Sequence, residues 1–209
     1  MSDLGVIEGL PELQDGITIV VGENIAAAVK LATLAYAAEA VMAKNIVAID
    51  GSRPWHYCVE GTIARAYLKS IGEAIPCPLE NDDVEDAWER MVENHAVSRV
   101  RRLSENDKAG ADLVITIPET EYEAEVLLQK IIDEEDAKMS NAVRSGAHTT
   151  VDYPHIICIP KPVLDKFRVP AVTLLALHTA NSIIDVYKPN GSCVSHVQVK
   201  YCGGVLLNA

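Results

Sequence analysis

The sequence is poor in aromatic side chains and in positive charge. One Phe, two Trp and seven Tyr make 5% of its 209 residues aromatic, and 18 Lys and Arg stand against 30 Asp and Glu, a net charge of −12. Proteins that bind a nucleic-acid backbone do so with clustered cations, so no nucleic-acid partner is expected. The one dense basic group, Arg99, Arg101 and Arg102 in SRVRRL, sits among acids and reads as a solvated helix face. The five cysteines form no C-x-x-C pair and are odd in number, which argues against a zinc knuckle or a disulfide framework. No metal site is expected, and no cofactor is named. Neither G-x-G-x-x-G nor G-x-x-x-x-G-K-[ST] occurs, so the dinucleotide and P-loop fingerprints are missing. There is no basic segment followed by a long apolar one at the start. The longest weakly charged run, IAAAVKLATLAYAAEAVMA, holds Lys30 and Glu39 and is mostly alanine. That suits a buried helix better than a membrane span. A cytoplasmic protein without a membrane partner is the expectation.

What is present is an ordinary core. Hydrophobic residues make up 49% and charged residues 23%, as in a folded globular chain. Residues 1–16 read as an irregular lead-in. ITIVVG (17–22) and NIVAID (45–50) are short β-branched runs of the kind buried on both faces of a sheet. ADLVITIP (111–118) and HIICIP (155–160) repeat the pattern, and AIPCPL is a short strand or extended coil. Between these lie helical patterns. Asn24 caps one over 25–43, and CVEGTIARAYLKSIG (58–72) is a second, ended by Gly72. A third, begun by Asp82 or Asp83, runs to about residue 106, with Trp88, Met91, Val92, Ala96, Val100 and Leu103 on one face. A fourth follows Thr120, with Glu123 at capping-box spacing. PAVTLLALHTANSIIDVY reads as a fifth, and KPNG then turns into an alternating, β-rich tail. Strands that alternate with helices imply one α/β domain over 1–209. The expected architecture is a three-layer sandwich around a mostly parallel sheet, with room for an antiparallel C-terminal strand.

In such a sheet ligands bind beyond the carboxyl ends of the strands, where helix N-termini favour anions. IDGSRPWH is the leading candidate. Asp50 closes a strand as an acid, and Gly51 permits close approach. Ser52 and Arg53 offer a hydroxyl and a guanidinium fork. Trp55 gives a stacking surface, and His56 titrates near neutrality. Asp50 and His56 are the catalytic candidates. Gly22, Asn24, Ser52, Arg53, Trp55, Thr120 and His148 are the substrate-binding ones, His148 coming from the polar loop SGAHTTVDYP (145–154). The simpler alternative at each is structural: a turn, a cap or a core contact. Cys58, near a helix start, would be activated if the dipole lowered its pKa. Two functions follow. One is an enzyme, a hydrolase or transferase, acting on a small phosphorylated or nucleotide-like anion at the sheet edge. The other is a non-catalytic homo-oligomeric or accessory subunit, joined through the Ala-rich first helix, the apolar segment 171–187 and the YCGGVLLNA end.

Overall fold

The computed structural model describes residues 16–95, 100–103, 110–131, 133, 154–166, 183–187 and 193–198. Along the chain these form β1 (Gly16–Gly22), α1 (Ile25–Met42), β2 (Val47–Asp50), α2 (Arg53–Ser70), α3 (Asn81–His95) and β3 (Arg101–Arg102). There follow β4 (Leu113–Thr116), α4 (121–131), β5 (Pro154–Pro160), α5 (Lys161–Lys166), β6 (Ile183–Tyr187) and β7 (Cys193–Gln198). Five strands make one sheet in the order β1-β5-β4-β2-β3, and every pair in it is parallel. β6 and β7 pair antiparallel in a sheet of their own.

The side-chain alternation of each strand divides the core into two faces. Val20, Val47, Ile49, Leu113, Ile115, Ile156 and Cys158 join one cluster with buried residues of α1, α2 and α3. The intervening residues Ile19, Val21, Ala48, Val114, Ile157 and Ile159 are buried outside that cluster, as are Ala124, Leu128 and Ile131 of α4 and Val163 and Leu164 of α5. Right-handed crossovers require this split. The chain moves across the sheet in one direction from β1 to β3, and in the opposite direction from β3 to β5. The result is a three-layer α/β sandwich.

α1 is apolar because it lies in this core. Ala28, Leu31, Ala32, Ala37, Ala38 and Val41 are all buried, and alanine lets the helix lie close to the strands. By length and composition Ile25–Met42 would pass for a membrane span, yet its apolar face is filled by the sheet and α2. Trp88 anchors α3 against α2, its indole donating to the Glu60 carbonyl at 3.3 Å.

Four elements differ from the sequence expectation. α2 begins at Arg53 rather than 58, with Pro54 in its first turn, where a missing N–H costs nothing. α3 ends by His95, and Arg101–Arg102 is an edge strand beside β2. Two residues are too few to show a period of two, so the helical pattern masked them. Residues 73–80 hold no strand, since Pro76 and Pro78 cannot donate to a ladder. Ile183–Tyr187 is strand, not helix, in keeping with its β-branched and aromatic content. The remainder of 171–187 lies outside the described residues, as do the 1–15 lead-in and the loop carrying His148.

Candidate functional site

Strand order decides where a crevice opens. β2 leads outward to β3, whereas its neighbour β4 leads back toward β5. Helices after such diverging strands leave on opposite faces, and a gap forms between their N-termini. A cleft of about 510 Å³ lies there. Its walls come from four places in the chain: Asp50, Gly51 and Ser52 at the end of β2, Arg102 and Leu103 at the end of β3, Thr116 to Glu119 at the end of β4, and Glu123 and Leu127 of α4.

Backbone hydrogen bonds hold these strand ends together beyond the regular ladder. The Leu103 N–H donates to the Ile49 carbonyl and the Ile117 N–H to the Asp50 carbonyl, each at 2.8 Å. Gly51 sits tightly against β4: a Cβ there would lie 3.2 Å from the Ile117 carbonyl oxygen and 3.3 Å from its Cβ. Asp50 is exposed into the opening. Its Oδ2 accepts from the Thr116 hydroxyl at 3.3 Å, and the same hydroxyl lies 2.7 Å from His155 Nε2. Ser52 occupies the N-cap of α2 without bonding the helix through its hydroxyl, so that group faces no competing cap. α4 closes its own end: Thr120 Oγ1 accepts from the Glu123 N–H at 3.2 Å, and Glu123 accepts from the Glu119 N–H at 2.9 Å. This is a capping box in which the glutamate reaches one residue further back than the usual N-cap N–H.

Of the residues expected at a site, Asp50 and Ser52 line the cleft. Arg53, Trp55 and His56 do not, because they belong to the first turn of α2. Successive helical residues point about 100° apart, so the three diverge. Arg53 Nε donates to the Tyr57 hydroxyl at 2.8 Å, with the guanidinium 5.4 Å from the Tyr57 ring centroid. Trp55 packs half-buried against the core. His56 Nε2 is 3.6 Å from Glu60 Oε1, and its Nδ1 is buried without a hydrogen-bond partner among the described residues. Gly22 and Asn24 lie at the far edge of the sheet, three strand spacings or about 14 Å from β2. Asn24 Oδ1 accepts from the Ala27 N–H at 2.9 Å as the N-cap of α1. The Cβ that Gly22 lacks would fall 2.3 Å from the Ala28 nitrogen. Thr120 is spent on its cap. Cys58 is exposed on the second turn of α2, away from the helix start; partial desolvation pushes its thiol up, opposed in part by hydrogen bonding from Thr62.

The sequence reading left Arg102, Thr116 and Glu123 out of the site. Arg102 was hidden by its apparent place on a helix, and Thr116 by standing inside the apolar run ADLVITIP. Among the described residues no group of three or more His, Cys, Asp or Glu is placed to hold a metal ion. The chain matches no model of a known family, and it has no significant match among curated proteins or solved structures.

Proposed function

We propose that this protein is an enzyme acting on a small phosphorylated or nucleotide-like metabolite in the cleft between β2 and β4. One observation carries the proposal: four segments far apart in sequence converge at the switch point on a polar opening. Arg102 supplies a guanidinium for an anionic group. The N-terminus of α2, with the Ser52 hydroxyl, adds donors beside it. Asp50 and Glu119 add carboxylates to the same opening, and Glu123 already accepts a backbone bond. An entirely anionic ligand would be repelled by them. A ligand with both an anionic group and hydroxyls fits the mixed lining, the carboxylates accepting from its hydroxyls. Asp50 is the acid–base group, being the carboxylate that is exposed into the opening and also hydrogen-bonded from behind.

Thermal-shift titration with a panel of sugar phosphates and nucleotides tests this. A ligand at about 100 times its Kd stabilises by roughly 2.7 kcal/mol, a rise of about 5–10 °C for a chain of this size. Asp50→Asn and Arg102→Gln should abolish the rise while leaving the unliganded Tm near that of the wild type. A ligand whose stabilisation survives both substitutions would place its site elsewhere.

A further inference from the structure

We propose that His155, Thr116 and Asp50 form a proton relay from the α4 side of the sheet to the cleft, with His155 as its proton store. The relay rests on the assignment of Asp50 to a ligand site and supplies what that site lacks: a group that can reload the acid from behind.

The three residues come from adjacent strands, β5, β4 and β2. Asp50 and Thr116 are register partners, and His155 is opposite Val114, one diagonal step from Thr116. Alternation puts all three on the face away from α1 to α3, since Ile49, Ile115 and Ile156 take the other. Thr116 Oγ1 is 3.3 Å from Asp50 Oδ2 and 2.7 Å from His155 Nε2.

Hydrogen-bond valence then fixes the direction. A carboxylate only accepts, and a hydroxyl has one proton. Thr116 gives that proton to Asp50, so its oxygen must accept from His155, which carries hydrogen on Nε2. When Asp50 has delivered a proton to a bound ligand, Thr116 passes its own to Oδ2. His155 Nε2–H restores the threonine, and an imidazolium becomes a neutral imidazole protonated on Nδ1. No proton is gained or lost. Of the strands that carry the three residues, β4 has no other ionisable side chain, β2 only Asp50, and β5 besides His155 only Cys158, on the opposite face; β3, beside β2, places Arg101 in register with Ala48 on the Asp50 face and Arg102 on the next position. Over this face α4 buries Ala124, Leu128 and Ile131. Of its charges, Glu121, Lys130 and Asp133 are exposed, Glu123 is in the cleft, and Glu125 is paired with Lys166 at 2.6 Å.

His155 is thus a positioning residue that acts through Thr116. Nitrogen NMR of the full-length, labelled, ligand-free protein reads its tautomer directly, with His155→Gln assigning the signal among six histidines. The wild type should show neutral His155 as the Nε2–H form. In Asp50→Ala the threonine proton is released to Nε2, and the population should move toward Nδ1–H. Thr116→Val should lose the Nε2–H preference, and Thr116→Ser should restore it. An Nδ1–H wild type, or one tautomer population common to all variants, overturns the relay. No ligand is present in this measurement, so it can fail while ligand binding holds, or hold while the ligand panel fails.

Discussion

Gly22→Ala separates two reasons for a glycine at the end of β1: approach of a ligand, or approach of a helix. The added Cβ would stand 2.3 Å from Ala28 N, 2.7 Å from the Ala27 carbonyl carbon and 2.9 Å from Ala28 Cα. All three are backbone atoms of α1, so no flexible side chain can swing away. Restoring an ordinary contact requires α1 to retreat by about 1 Å. The helix that retreats buries Ala28, Val29, Leu31, Ala32 and Ala37 against the sheet, and a gap of that size forfeits much of their dispersion energy. Overpacking of this kind costs about 3 kcal/mol, the upper part of the usual range. For a chain of this length that is a fall in Tm of about 6–12 °C. Urea unfolding followed by circular dichroism should show the same loss in free energy. A variant that melts within about 1 °C of the wild type would refute the packing argument. If such a variant also lost a ligand response, the ligand-approach explanation would replace it.

Three further outcomes follow from the same geometry. Asn24→Ala removes the acceptor for the Ala27 N–H and should cost about 1 kcal/mol in thermal unfolding, with Asn24→Asp keeping most of the stability. Because partial desolvation raises the thiol of exposed Cys58, and full burial raises that of Cys158 more strongly, iodoacetamide at neutral pH should label Cys58 more slowly than a free cysteine. Cys158 should react only on unfolding, and rapid labelling of Cys58 would contradict its desolvation. Glu73 hydrogen-bonds Arg90, and that bond holds its carboxyl below the usual carboxylate range. A lowered native value stabilises above the ordinary range and is lost as pH falls through it. Glu73→Gln should therefore be less stable than the wild type at about pH 6 and match it by about pH 2, as followed by acid titration of the fold.

The layered architecture was legible because it is written in local patterns. Doubly apolar β-branched runs such as ITIVVG and HIICIP have no stable place except inside a parallel sheet. Asn24, Thr120 and Glu123 announce helix starts through bonds that span only three residues. Asp50 was recognisable as a strand-end acid for the same reason. Arg53, Trp55 and His56 read as one group with Asp50 because GSRP reads equally as a turn or as the entry to a helix. Once α2 starts at Arg53, neighbours in sequence point in different directions.

The sequence by itself determined the alternation of strands and helices, the burial of the alanine-rich α1 and the polar character of the turn after β2. These depend on periodicity and capping, which are properties of adjacent residues. Tertiary structure alone decided the strand order, and hence that β2 lies beside β4 while β1 stands at the far edge. That order brings Arg102, Thr116, Glu119 and His155 to Asp50 and leaves Gly22 and Asn24 away from it. Strand pairing joins residues as distant as Asp50 and Thr116, or Gly16 and Pro154. Which strands pair follows from how the whole set of apolar faces can be covered at once, and no short window of sequence contains that information.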